Sequence, residues 1–372
     1  MSIQKILPVV VLILIVGAIW YLESQKVNVP SNNDGLQDIS ITNESERTAQ
    51  KVKQYELAKK ISSPDGFINT DSITIEELIG DKVVLVDFWT YSCINCQRTL
   101  PHLNDWYDKY ADDGLVILGI HTPEFEFEKK YENVLRAVEK YEIEYPVILD
   151  NDFSTWRSYN NRYWPRKYII DIDGFIVYDH IGEGGYEETE AKIVELLNEK
   201  KRILGEEEIP IKKSDIGEKV DFSKIESHET YLGSDRMQYL DNEFTEQCSL
   251  GACEYTGADD LSLGGYSFDG LWRINKESSN MESKNGSFTI RFSASKVNIV
   301  AGAQVPVRAK IWLDGEVIMP NQSGYSINNQ GFVTFSDHDL YNLVDLRGSY
   351  EDHVLKIEFQ DVGVDAFAVT FG

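Results

Sequence analysis

Two cysteines three positions apart, in Cys93-Ile94-Asn95-Cys96, come shortly after the apolar run Val83-Val84-Leu85-Val86-Asp87-Phe88-Trp89. A run of that length reads as a buried strand. The cysteines then sit where the strand gives way to a helix, about one helical turn apart. The first sulfur lies near unpaired N–H groups and the positive end of the helix dipole, which favours negative charge on it. A thiolate beside a second thiol can attack a disulfide and then be released by its neighbour. The same spacing supplies half of a zinc site. A zinc site needs two more ligands, and no Cys or His pair follows at ribbon or finger spacing. Dithiol redox chemistry is the expectation.

Other residues gather around that pair. Asp87 lies six positions before Cys93, and strand alternation points it inward. A buried carboxyl is costly without a partner or a task, and desolvation raises its pKa. It would suit the role of base for the second thiol, Cys96. Trp89, Ile94, Asn95 and Trp164 are candidates for substrate contact. Ile94 and Asn95 place no cation between the thiols, which argues against a strongly oxidising pair. Trp164-Pro165 precedes the hairpin run Lys167-Tyr-Ile-Ile-Asp…Phe175-Ile-Val-Tyr-Asp. By spacing alone an ordinary trans proline is expected; a cis bond would present the Trp164 backbone to Cys93 as an edge for an extended substrate. Cys248 and Cys253 flank a short loop. A structural disulfide is expected there, with a second redox pair as the sharper alternative. A copper or other metal role for that pair is the remaining alternative, but no metal site is expected: of the six histidines none makes a close pair with these thiols, and His121, His228, His338 and His353 read as loop or hydrogen-bonding residues.

The rest of the chain must position these groups. Its 372 residues allow two domains, and 42% apolar and 12% aromatic content allows real cores. A net charge of −26 argues against nucleic acid and anionic membrane surfaces as partners. Ile6 to Leu22 form a seventeen-residue apolar run behind Lys5, read as a single transmembrane anchor within residues 1–24, with the amino terminus cytoplasmic. A cleaved signal peptide is the alternative. Residues 25–55 read as a flexible linker. Strand–helix alternation over 56–205 implies an α/β layer fold. Expected elements include a short helix at 72–79, a helix at 94–111, a helical stretch at 125–140 and a last helix at 187–204. A charged linker over 206–225 leads to short turn-bounded alternating runs over 226–372, read as an all-β sandwich of jelly-roll type.

At this point the residues resemble a family. Val86-Asp-Phe-Trp-Thr-Tyr-Ser-Cys-Ile-Asn-Cys, with Trp164-Pro165 before the hairpin, is similar to the active-site region of thioredoxin-fold proteins. The extra segment between Gly119 and Pro146 resembles the insertion of the TlpA/ResA-like branch. Gly119-Ile-His-Thr-Pro-Glu-Phe, Tyr159-Asn-Asn-Arg-Tyr-Trp-Pro-Arg and the terminal Phe-Ala-Val-Thr-Phe-Gly resemble the DipZ-type group. The resemblance spans about residues 56 to 372. It implies a membrane-tethered thiol–disulfide oxidoreductase with a carbohydrate-binding-module-like sandwich. Cys93 would attack, Cys96 would resolve, Asp87 would be the buried acid and Pro165 the cis proline. It implies no cofactor beyond the Cys93/Cys96 dithiol, and protein thiols or disulfides as substrates, with cytochrome c maturation or repair of exported cysteines as settings.

Familiar DipZ-type proteins carry a polytopic electron-carrying domain of CcdA type before the redox part. Here only the helix at 6–22 is expected, so the electrons would come from a separate membrane donor. Net reduction of protein disulfides is the expected direction; a disulfide-forming oxidase or isomerase is the alternative within redox chemistry. A surface glycan-binding protein with a structural cysteine pair is an alternative of another class. Trp272, Trp312, Tyr325, Phe332 and Tyr341 are its candidate sugar-stacking rings, although such residues more often build the sandwich core.

Overall fold

A computed structural model describes residues 44–214, 216–217, 220–242, 251–258 and 260–372. The expected anchor at 6–22 and Cys248 lie outside these residues. Among the described residues no helix is long and apolar enough to cross a membrane. The last part of the expected linker at 25–55 is instead a helix, Glu44–Lys51. Its arginine, alanine, glutamine and lysine are good helix formers, and Lys51 in the last turn suits the negative end of the dipole.

The half that carries Cys93 and Cys96 is built on one seven-stranded sheet. Its strands in chain order are β1 Glu56–Leu57, β2 Gly66–Ile68, β3 Val83–Trp89, β4 Leu115–His121, β5 Val147–Leu149, β6 Arg166–Ile170 and β7 Phe175–Ile181, and its spatial order is β1-β7-β6-β3-β4-β5-β2. β3 is central, parallel to β4 and antiparallel to β6. Both faces of β3 are covered, so every one of its residues is buried. Val83, Leu85 and Trp89 pack with Leu100, Leu103 and Trp106 of the helix Ile94–Tyr110 and with Ile193 and Leu197 of the helix Tyr186–Leu204. Val84, Val86 and Phe88 meet Trp156, Tyr159 and Tyr168 on the opposite face.

Two expected helices are corrected. Residues 72–79 begin one, with Thr74 and Glu77 exchanging side-chain and backbone hydrogen bonds as a capping box. The chain stops after a single turn, because Gly80 adopts φ +97° and donates its N–H to the Ile172 carbonyl at 2.7 Å. The stretch 125–140 is interrupted. A 3₁₀ turn, Glu126–Lys129, and a helix, Tyr131–Lys140, flank an extended Lys130. The buried Glu128 carboxylate draws in the N–H groups of Glu124 and Phe125, which ties the first segment into a turn.

The second half is all-β. Its strands run from β8 Thr230–Tyr231, β9 Gly251–Tyr255 and β10 Tyr266–Ile274 through β11 Ser279–Met281, β12 Ser287–Ala294 and β13 Lys296–Ala303. They continue with β14 Val307–Leu313, β15 Glu316–Val317, β16 Phe332–Phe335, β17 Asp339–Asp345, β18 Glu351–Phe359 and β19 Val364–Phe371. The spatial order is β15-β14-β18-β12-β10-β11-β19-β13-β17, all antiparallel, with β10 belonging to both sheets. The two sheets close over one core that includes Phe268, Trp272, Phe288, Ile299, Ile311, Ile357 and Phe359. Trp272 is thus a core residue, and Cys253 is buried on β9 opposite it. Tyr325 is 73% exposed.

The halves are packed together. Val300, Leu340, Phe367 and Ala368 of the β half belong to the same apolar cluster as Trp89 and Leu103. Phe125 and Phe127 approach the Phe367 ring at 5.2 and 4.7 Å. The intervening segment is pinned as well: Asn198 exchanges two hydrogen bonds with the Ile209 backbone, and Lys212 N–H reaches the Tyr110 hydroxyl.

Candidate active site

Cys93 is the N-cap of the helix Ile94–Tyr110, with extended backbone, and its sulfur accepts from the Cys96 N–H at 3.4 Å. Capping puts a sulfur where a serine oxygen would commonly sit, aimed at the orphan donors of the first turn. Cys93 is half-buried and Cys96 fully so, which separates an accessible thiol from a protected one. Burial pushes the Cys96 thiol well up, and the adjoining Cys93 adds to this.

Asp87 lies beneath the pair with 1% exposure, and one of its carboxyl oxygens has no hydrogen-bond partner. Desolvation pushes its pKa up to about 7, against the pull of Lys167. Lys167 faces Asp87 directly across β3 and β6 and is itself fully buried. Burial lowers its pKa, and it donates to the Gly182 carbonyl at 3.1 Å. Alternation indicated the inward Asp87, but a cation eighty residues away in the chain becomes its neighbour only through strand pairing. The Tyr145 hydroxyl and the Trp89 indole N–H lie in the same region, both buried and both without partners.

Trp89 therefore is not a substrate contact. It has no exposed surface, because helices cover the face of β3 that it shares with Asp87. Trp164 does reach the site: its carbonyl oxygen is 4.0 Å from the Cys93 sulfur. The Trp164–Pro165 bond is cis. The Trp164 ring is held by an indole hydrogen bond to the Thr122 carbonyl and by packing at 4.3 Å on Trp156. Gly182 N–H caps the Pro165 carbonyl at 2.8 Å. Ile94 and Asn95 line the cleft in front of Cys93. Asn95 accepts from Arg98, whose guanidinium forms a two-pronged pair with Glu183 at 2.7 and 2.8 Å.

Two further buried groups stand near the site: Glu128, which the sequence did not indicate, and His121, which it read as a loop or hydrogen-bonding residue. Glu128, with no exposed surface, accepts from the Ser92 hydroxyl at 2.6 Å and the Ser92 N–H at 3.3 Å, fixing the residue before Cys93. Desolvation pushes it up to about 7 despite those bonds. His121 ends β4, stacks on Tyr91 and lies 3.4 Å from the Thr90 hydroxyl. Burial lowers it to about 3, so it is neutral. Among the described residues no group of three or more His, Cys, Asp or Glu is arranged to hold a metal ion.

The comparisons with known proteins agree with this geometry. Residues 49–179 match the AhpC/TSA family and residues 227–372 the family described as thioredoxin like C-terminal domain. Protein DipZ of Mycobacterium bovis is 33% identical over 270 residues, which is 72% of this chain; the chain spans 38% of that relative's length. Thiol-disulfide oxidoreductase YkuV of Bacillus subtilis is 29% identical over 34% of this chain and 85% of its own. Thiol-disulfide oxidoreductase ResA of Halalkalibacterium halodurans is 31% identical over 34% of this chain and 68% of its own. With a half-exposed N-cap cysteine, a buried partner thiol and an acid beneath them, the chain belongs to the thioredoxin-fold family of the ResA type.

Proposed function

We propose that the protein reduces disulfides in other proteins, using Cys93 and Cys96 as the electron carrier and no further cofactor. The Cys93 thiolate attacks one sulfur of the substrate disulfide, forming a mixed disulfide and releasing the first substrate thiolate. Asp87 takes the proton from the buried Cys96 thiol. The Cys96 thiolate then attacks the Cys93 sulfur, closing Cys93–Cys96 and releasing the second substrate thiolate. Two thiols are oxidised and one substrate disulfide is reduced, with protons returned to the leaving thiolates. The Trp164 backbone beside Cys93 is placed to hold an extended substrate segment, with Ile94 and Asn95 bordering it. The observation that carries the reading is the burial difference between the two thiols, with a buried carboxyl under the hidden one.

The apolar run Ile6–Leu22 behind Lys5 supports a single-pass anchor, with the amino terminus cytoplasmic and the redox site outside the cell membrane. In that setting a membrane donor of CcdA type restores the dithiol. The absence of a cation between the cysteines supports the reducing direction. The experiment is equilibration of the fragment from residue 25 onward against dithiothreitol and glutathione buffers, read by mass spectrometry. A potential near about −270 mV supports reduction, and one near about −120 mV reverses the direction.

A further inference from the structure

The cleft that holds Cys93 has two walls, and only one belongs to the redox half. Its volume is 510 Å³, within the usual range for ligand pockets, roughly 300 to 1,000 Å³. Cys93, Glu124 and Trp164 come from the redox half; Tyr231 and Arg236 come from the β half, and Phe222 from the segment before it. The two sides are tied together. Glu124 accepts from the Tyr231 hydroxyl at 2.8 Å and from Arg236 at 2.7 Å, while the Arg236 guanidinium lies 3.6 Å from the centre of the Tyr231 ring. The shared apolar cluster around Phe125, Phe127 and Phe367 lies behind this clamp. The width of the cleft is therefore set by packing.

Among its charged lining residues stand two exposed rings: Phe222 is 52% exposed and Tyr163 49%. Phe222 is held in a short 3₁₀ turn capped by Asp221, whose N–H reaches the Tyr350 hydroxyl on the β half. Exposed rings fixed beside a reactive atom offer contact area at low entropic cost.

We infer that the β half and the segment leading into it form a substrate wall, which restricts this active site to cysteines in extended, unfolded polypeptide carrying a bulky apolar residue beside the cysteine. The inference rests on the disulfide-reducing function proposed above. A disulfide on the convex surface of a folded domain cannot approach Cys93 past the Phe222–Tyr231 wall, whereas a strand laid along Trp164 enters edge-on. An apolar neighbour then meets Phe222 or Tyr163. Glu229 also lines the cleft, and its carboxylate meets the Tyr231 hydroxyl at 2.9 Å.

The test uses the reduced full chain and three disulfides: an unfolded peptide disulfide flanked by phenylalanine, a folded domain with a surface disulfide, and glutathione disulfide. The peptide should exceed the folded domain in kcat/KM by about tenfold or more, the worth of one well-placed aromatic anchor. In Phe222→Ala the ratio of peptide to glutathione rates should fall by about fivefold or more, with Phe222→Leu restoring much of it. An unchanged melting temperature would show that the variants are folded. Equal rates on folded and unfolded disulfides would overturn the inference, as would an unchanged ratio in folded Phe222→Ala. Failure to reduce any of the three, glutathione disulfide included, would instead overturn the reductase reading on which it rests.

Discussion

The two halves treat buried charge in opposite ways. Around the dithiol Asp87, Glu128 and Lys167 are buried, with at most 1% exposure. In the β half the one charged side chain among its described buried residues is Asp345, at 9%, and it is paired with Arg347 at 2.6 Å. Buried polar groups of the β half are mostly tied up: Asn342 bonds Asn298, Asn242 bridges to Phe268, and the Trp272 indole reaches the Asp269 carbonyl. Orphaned polar atoms occur in both halves, at Asp87, Trp89 and Tyr145 under the cysteines and at Tyr266 and Ser267 in the β half. The difference lies in charge: the β half keeps it near the surface, whereas the other half buries a carboxyl whose raised pKa suits proton transfer.

The contrast can be broken most sharply at the thiols. Cys93→Ser should abolish reduction of an unfolded peptide disulfide, and Cys96→Ser should accumulate mixed disulfides visible by non-reducing electrophoresis. Substantial reduction of that peptide by Cys93→Ser would remove the dithiol from the mechanism altogether. Asp87→Asn comes next. Loss of a general base should slow the resolving step by roughly 10²- to 10⁴-fold. Single-turnover release of the second thiol should also lose the limb near pH 7 that Asp87 sets in the parent.

Stability should move the other way at that position. The folded Asp87 holds its proton up to about pH 7, while the unfolded carboxyl releases it near about 3.9. Between those values the folded state binds more protons, so its stability falls as pH rises. Asp87→Asn should remove up to about 1.4 kcal/mol per pH unit of that decline in urea titrations between pH 5 and 7. An unaltered slope would place the proton elsewhere, with Glu128 next in line.

In the β half the main effect should be on stability. Trp272→Ala should cost about 3 to 5 kcal/mol in denaturant unfolding, as a fully buried ring is lost. The reduction potential should be unmoved under conditions where the variant is folded. A shifted potential would mean that the halves are coupled through more than packing. The smallest effect is expected at Lys140, whose exposed ion pair with Asp339 joins the halves at 2.5 Å. Lys140→Ala should change stability by less than about 1 kcal/mol, and less still in high salt.

Much of the redox centre was legible because it is local. The cysteine spacing, the strand before it and the helix after it lie within a few residues of one another, and their periods are set by backbone geometry. Asp87 could be placed on an inward face by alternation, as could the burial that raises its pKa. The same alternation puts Trp89, two residues on, on the inward face with Asp87, so its burial was legible too, and reading it as a substrate contact ran against that period. The expected helix at 72–79 failed for a different reason: its capping box is local, but the Gly80 bond that ends it goes to Ile172.

What the sequence by itself determined was the chemistry: two thiols at a strand–helix junction, an acid on the inward face, and an α/β half followed by a β half. What only the tertiary structure decided was the company these groups keep. Lys167 opposes Asp87 by antiparallel pairing, Glu128 reaches Ser92 from 36 residues away, and Tyr231 and Arg236 close a cleft from more than a hundred residues away. Those contacts depend on strand register and on the packing of two cores, and neither leaves a periodic trace in the chain.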